Sequence, residues 1–168
     1  MHAERTYAFV KFVNVSADQA FDFIVDPNNL PKWDSSIDHV LVVPGETHFV
    51  VYLRSCPYCF GLARVVYTVL AVRGGQEDGA KRVLSYLIRG MSAGFETREV
   101  AECKEITETS CSVNYTVKVK YTGWRVLLLP FIEARVRHIT HAAGARLKRM
   151  LEADLGESDK VVAPDISV

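Results

Sequence analysis

The sequence predicts an α+β domain in which an antiparallel sheet wraps around one long C-terminal helix. Three observations lead there. Residues 127–155, LLLPFIEARVRHITHAAGARLKRMLEADL, place apolar side chains at Ile132, Val136, Ile139, Ala143, Leu147 and Met150. That is the i, i+3, i+4 spacing of a helix with one buried face, and Glu133, Arg137, His141, Lys148 and Glu152 fall opposite. Residues 111–121 alternate: Val113, Tyr115, Val117 and Val119 on one side, Ser112, Asn114, Thr116, Lys118 and Lys120 on the other. One wet and one dry face marks an antiparallel sheet covered on one side. Finally, the β-rich runs before it are joined by short, Gly-containing connections, as in a meander of hairpins. A helix of that length spans roughly 40 Å, so its stripe needs a long partner surface, and the sheet is the only candidate.

In chain order, residues 7–15 are β-rich and open the sheet. Ser16-Ala17-Asp18-Gln19 reads as a capping box, with Ser16 as cap and Gln19 reaching back. Val15 and Ala20 occupy the staple positions. A short helix should follow, with Phe21, Ile24 and Val25 on one side. Asp26-Pro27 ends it and can start a second short turn, Asp26 capping and Pro27 at the first helical position. Pro31 is expected to break that turn. Trp33 follows where the chain reverses from helix to strand, either as a core-edge aromatic or as a pocket lid. Six further strands are expected at 38–43, 47–54, 62–73, 81–89, 95–106 and 111–121, making seven in all. Turns fall at Pro44-Gly45, 74–79, 90–94 and 107–109. The domain is expected to occupy 1–155, and residues 156–168, which lack periodicity, to form a flexible tail. There is no internal repeat and no linker.

Composition narrows the function. The 168 residues fit one domain and carry 49% hydrophobic residues and a formal net charge of +0. No global field recruits nucleic acid or anionic lipid, and no nucleic-acid partner is expected. The start, MHAERTYAFVKFV, alternates instead of forming the apolar core of a signal peptide. The apolar run 126–132 is too short to cross a bilayer. These features lead to the expectation of a cytoplasmic protein without a transmembrane segment.

Several motifs invite chemistry. Cys56-Pro57-Tyr58-Cys59 looks like a glutaredoxin active site, which needs its first thiol at a helix N-terminus. The residues that follow, Ala63-Arg64-Val65-Val66-Tyr67-Thr68-Val69, are β-formers, and no Thr-Val-Pro segment lies downstream. A hairpin disulfide, half a metal site or two plain thiols fit better. Cys103 and Cys111 flank a tight turn with the same parity. They are two buried thiols, or a cross-strand disulfide if they lie opposite. A four-cysteine zinc site matches no standard spacing, and no metal or cofactor is implied. His138 and His141, three apart on the long helix, read as surface or groove-edge residues. Arg135, Arg137, Arg146, Lys148 and Arg149 make a solvated basic face suited to the helix C-terminal dipole; RNA or an acidic partner is the minority reading. Residues 74–81 are not a phosphate loop, because no Gly-Lys-Ser/Thr follows. Glu99 shares parity with Phe95, Thr97, Ala101 and Cys103. If Phe95 and Ala101 face inward, so does Glu99, and a buried carboxylate must find partners or shift its pKa upward. It could orient a ligand hydroxyl or act as a general base. A bulge in that strand would turn it outward instead.

The order strand, two short helices, six strands, long helix resembles the helix-grip fold of the START/Bet v 1-like (SRPBCC) superfamily. Val13-Asn14-Val15-Ser16-Ala17-Asp18-Gln19-Ala20-Phe21-Asp22-Phe23-Ile24 is similar to that family's first strand and helix. Asp26-Pro27-Asn28-Asn29-Leu30-Pro31-Lys32-Trp33, with Ile37 and Val40, is similar to its helix-to-strand turn. The polyketide cyclase/dehydrase and lipid-transport branch is the most similar. The resemblance implies a curved seven-stranded sheet gripping the helix around an apolar cavity, with Trp33 near its mouth. It implies binding or transport of a hydrophobic small molecule: a lipid, isoprenoid, quinone or polyketide. A cyclase or dehydratase using the same cavity is the alternative, and an open cavity with a buried carboxylate facing it would favour that enzyme. A protein-interaction module of co-chaperone type is a third, favoured by a closed, filled core. A homodimer is compatible with all three. One fold hosts many activities. The expected lining residues are Trp33, Tyr86, Phe95, Thr97, Glu99, Tyr115, Phe131 and Ile132. The helix stripe is expected to be buried along its length, so that a charge at Ile139 should unfold the protein.

Overall fold

The computed structural model describes residues 1–54, 64–78 and 81–154. Strand β1 (His2–Val13) leads into helix α1 (Ala17–Val25), a 3-10 turn (Pro27–Asn29) and the one-turn helix α2 (Leu30–Trp33). Strands β2 (Ile37–Val42), β3 (His48–Leu53), β4 (Arg64–Asp78), β5 (Lys81–Ser92), β6 (Phe95–Thr107) and β7 (Ser110–Thr122) follow. A 3-10 segment (Gly123–Leu128) then opens helix α3 (Leu129–Asp154). The sheet order is β1-β7-β6-β5-β4-β3-β2, antiparallel throughout. Every neighbour pair is sequential except β1 with β7. The architecture is the helix-grip fold: a curved seven-stranded antiparallel sheet against a long C-terminal helix, with short helices after the first strand.

Local chemistry sets the boundaries. The Gln19 amide donates to Ser16 Oγ at 3.2 Å, and Ser16 N–H donates to Gln19 Oε1 at 3.1 Å, closing the capping box. Asp26 Oδ1 accepts from the Asn28 amide at 2.9 Å, so Asp26 caps the 3-10 turn. Pro31 does not break that turn. It falls in the first turn of α2, where its fixed φ and missing N–H are tolerated. Strand β4 runs through Gly74-Gly75 to Asp78, with its register slipping between Arg73 and Gln76. The glycines expected to turn the chain sit at an irregularity inside the strand instead. Likewise β5 continues through Gly90 to Ser92.

Helix α3 is packed unevenly. Ala143, Leu147 and Leu151 are buried, the last two at 0% exposure, while Ile132, Val136, Ile139 and Met150 are only half-buried. The expected stripe is therefore closed against protein only in its C-terminal half. There α3 meets β1 closely. A Cβ on Gly144 would lie 2.8 Å from the Phe9 ring, so only glycine lets the two backbones approach this far. A mid-helix glycine costs about 1 kcal/mol relative to alanine.

Two apolar clusters result. The larger gathers α1, α2, the inner faces of the strands and the C-terminal half of α3. The smaller consists of Tyr7, Val119, Tyr121 and Leu129. Cys103 faces Val113 and Cys111 faces Glu105, so the two thiols are not directly opposed, and both are free and buried. Burial raises both thiol pKa values, Cys111 to about 11. Cys56, Cys59 and the expected tail 156–168 lie outside the described residues.

Candidate functional site

Between the half-buried part of α3 and the concave face of the sheet lies a cavity of about 240 Å³. Its walls are mostly apolar, from Phe9, Leu30, Ile88, Val119, Ile132 and Val136 among others. A polar cluster centred on Glu99 sits in it. The β6–β7 register is regular from Phe95 to Glu105, so no bulge disturbs the alternation and Glu99 faces inward at 8% exposure.

Glu99 is caged by donors. Its Oε1 accepts from Tyr67 Oη at 2.6 Å and from Thr97 Oγ1 at 3.1 Å, and its Oε2 accepts a very short bond from Tyr115 Oη. An ionised carboxylate has about four acceptor positions, so a ligand would find one left. Tyr67 reaches Glu99 from two strands away because Gly90 stands between them. Gly90 faces Tyr67 on one side and Thr97 on the other. A Cβ there would lie 2.5 Å from Thr97 Oγ1 and 2.7 Å from the Tyr67 ring.

Burial raises the Glu99 pKa above the ordinary carboxylate range; the three hydroxyl donors pull the other way, and nearby Asp34 adds to the rise. Asp34 is itself raised by burial, against hydrogen bonds from Ser36 N at 2.8 Å and Ser36 Oγ at 2.7 Å. Burial and the Glu99 charge hold both tyrosines protonated far beyond neutral pH. The cluster therefore offers phenols as fixed donors to Glu99, around a carboxylate that takes up a proton more readily than usual.

Of the eight residues expected to line a pocket, Trp33, Phe95, Thr97, Glu99, Tyr115 and Ile132 do line this cavity. Trp33 is not at an exposed mouth. It is 2% exposed, belongs to the larger core cluster, and packs edge-on to Tyr115 with centroids 5.5 Å apart. Its Nε1 is buried with no hydrogen-bond partner among the described residues. Tyr86 and Phe131 are not in the wall. Tyr86 points inward but lies opposite Ala101, one inward position past Ile88 toward the larger core. Phe131 is 72% exposed. Adjacent helix positions differ by about 100°, and with Ile132 turned to the cavity Phe131 must turn away. His138 and His141 are exposed.

Tyr67, Asp34 and Arg125 also belong to the wall and were not expected there. Tyr67 shares parity with Val65 and Val69, but Val66 and Leu70 on the other parity are apolar too, so the sequence alone does not choose the inward face. Asp34 and Arg125 lie beside turns, where no periodicity assigns a face.

The sequence matches the family model described as polyketide cyclase / dehydrase and lipid transport over residues 6–152. The chain belongs to that family. No curated protein sequence matches it. Among solved structures, norcoclaurine synthase from Thalictrum flavum superposes with a TM-score of 0.60 at 7% identity, over 92% of this chain and 98% of that one. A START superfamily protein from Mycobacterium smegmatis gives 0.58 at 12% identity, over 86% and 98%. An aromatase/cyclase from a Streptomyces species gives 0.58 at 15% identity, over 99% and 100%. At such identities these likenesses show the shared fold. Among the described residues no helix of this family member is long and apolar enough to cross a membrane.

Proposed function

We propose that this family member binds a small, mostly apolar molecule in the cavity, with one polar group meeting Glu99 and Thr97. The observation that supports this most is the Glu99 cage opening into a mostly apolar space. Pockets of this kind recognise ligands by burying apolar area, at roughly 25 cal/mol per Å², while a few convergent polar groups fix orientation. Trp33, Phe95, Thr97, Glu99, Tyr115 and Ile132 are the ligand-contacting set. At about 240 Å³ the cavity lies at the small end of ligand pockets, which favours a medium acyl chain, a short isoprenoid or a one- or two-ring aromatic over a long lipid or polycycle. Native mass spectrometry of freshly purified protein should detect a co-purifying apolar molecule. A titration panel of medium-chain acids, short isoprenoids, quinones and phenolic aromatics should give at least one saturable signal; none in either experiment would sink the reading.

A second reading has its own support. A cyclase or dehydratase needs a carboxylate with a raised pKa facing an open cavity, and Glu99 is placed so. It would take a proton from the bound molecule or return one, with the Tyr67 and Tyr115 hydroxyls steadying the charge. Turnover separates the two: a carrier returns the bound molecule unchanged, whereas an enzyme converts it, and its Glu99→Gln variant keeps binding and loses the conversion. The interaction-module reading required a filled core, and the cavity weighs against it.

A further inference from the structure

The cavity has a second polar pole that the Glu99 cage does not use. Arg125 lies in the 3-10 segment after β7 and contributes to the cavity wall. It is half-buried, its Nε is buried without a hydrogen-bond partner, and it has no ion pair or hydrogen bond among the described residues. Its cation lies 5.3 Å from the centroid of the Trp124 ring. A ring contact of that kind uses none of the guanidinium's N–H donors as hydrogen bonds, so they stay available to an acceptor. The position is also fixed. The β5–β6 turn is tied to β7 by a 3.0 Å bond from Thr122 N–H to the Gly94 carbonyl. A Cβ on Gly94, whose φ is +80°, would lie 2.0 Å from Arg125 Nη1. The turn thus makes room for this guanidinium and for nothing larger on its own side. Arg135, exposed on α3, borders the same cavity and adds positive potential.

A guanidinium drawn partly out of water without an acceptor is unfavourable until one arrives. We infer that Arg125 is an anion anchor and that the ligand of this cavity is a monocarboxylate: an apolar body carrying one carboxylate that meets the guanidinium edge. The planar fork of arginine matches a carboxylate with two parallel bonds. This inference rests on the binding reading above and narrows it to acids. Gly94 and Glu99 are five residues apart, about 17 Å along an extended strand, so the anchor and the Glu99 cage are separate poles. A ligand held by its carboxylate would present its other end, carrying the polar group of the binding reading, toward Glu99.

Octanoate and octan-1-ol form a matched probe pair of suitable size for the test. Each is titrated by calorimetry into the full chain and into the Arg125→Gln and Arg125→Lys variants. The expected result is that octanoate binds the wild type at least about tenfold more tightly than octanol, as a charge-assisted pair implies. In Arg125→Gln that advantage should disappear while octanol affinity stays within about twofold. Arg125→Lys, which keeps the charge but loses the fork, should fall between. Octanol binding as tightly as octanoate to the wild type would overturn the anchor and leave the cavity reading standing. An equal loss of both probes in Arg125→Gln would mean a structural role and also overturn it. If neither probe binds the wild type, the binding reading fails for such molecules and the anchor fails with it. Should Arg125→Gln not fold, the wild-type comparison of the two probes decides alone.

Discussion

Tyr67 on β4 donates a 2.6 Å hydrogen bond to Glu99 on β6, crossing β5 at Gly90. Three strands cooperate to make one polar cluster, and the middle one contributes by having no side chain there. Gly90→Ala should therefore disturb Glu99 without touching it. The added methyl meets Thr97 and Tyr67 well inside contact distance, and overpacking of this kind costs about 1–3 kcal/mol. Tyr67→Phe, which removes one donor from the carboxylate, should cost a similar amount. Denaturant melts of both variants check this; a Gly90→Ala midpoint equal to wild type would show that the strand has slack.

The raised Glu99 pKa has a signed consequence for stability. The folded state holds its proton to higher pH than the unfolded chain, so the group's contribution is fully present below the unfolded pKa, about 4.3. It is lost as pH rises through the folded value. Asp34 acts in the same direction. Glu99→Gln removes the titration, so the variant should gain stability relative to wild type as pH rises from about 4 to 8. Paired thermal melts across that range measure the difference, and a flat or falling difference contradicts the assignment.

The two halves of α3 should respond differently to truncation. Leu147 is 0% exposed in the larger core, and Leu147→Ala should cost about 2–5 kcal/mol. Ile139 is half-buried in the cavity wall, and Ile139→Ala should cost less than half as much, because much of its surface already faces open space. A charge at Ile139, expected from sequence to unfold the chain, should leave a measurable melting transition and impair binding. Equal destabilisation by the two alanine variants would show that the cavity is closed in solution.

Trp33 offers an optical readout. The chain has two tryptophans, and Trp124, 56% exposed, can be replaced by Phe. Emission from the remaining Trp33 should then shift on adding a bound acid or dye, since its ring lies in the cavity wall. Phe95→Asp places a charge in the same wall and should weaken that titration at least about tenfold. An unchanged affinity in Phe95→Asp would move the binding site elsewhere.

Most of the fold was legible because it is written in periodicities. The alternation of β7 and the stripe of α3 are local patterns, and the Ser16–Gln19 capping box is a four-residue chemical signature. Strict alternation in β6 also put Glu99 inside, once the absence of a bulge was known. What escaped depends on distance or depth. Nothing near Tyr67 says that it reaches a residue 32 positions away, because that needs the order of three strands and the empty side of Gly90. Phe131 and Ile132 were both assigned to the cavity, and only the phase of the folded helix separates them. Tyr86 has the right face but the wrong depth, which parity cannot encode. Arg125 and Asp34 flank turns, where neighbouring sequence fixes no direction.

The glycine at 144 sets where α3 is pinned. The C-terminal half of the helix is locked to the sheet by Ala143, Leu147 and Leu151, its first turn is held by Leu129 in the smaller cluster, and the turns between rest on a cavity. Such a helix is held at both ends and rests on open space between them. Its middle turns have fewer buried contacts to break than its C-terminal half, so local opening there should cost a free energy below that of the whole domain. A molecule entering the interior would find this stretch the least costly wall to move, and an occupant that fills the space beneath would steady it.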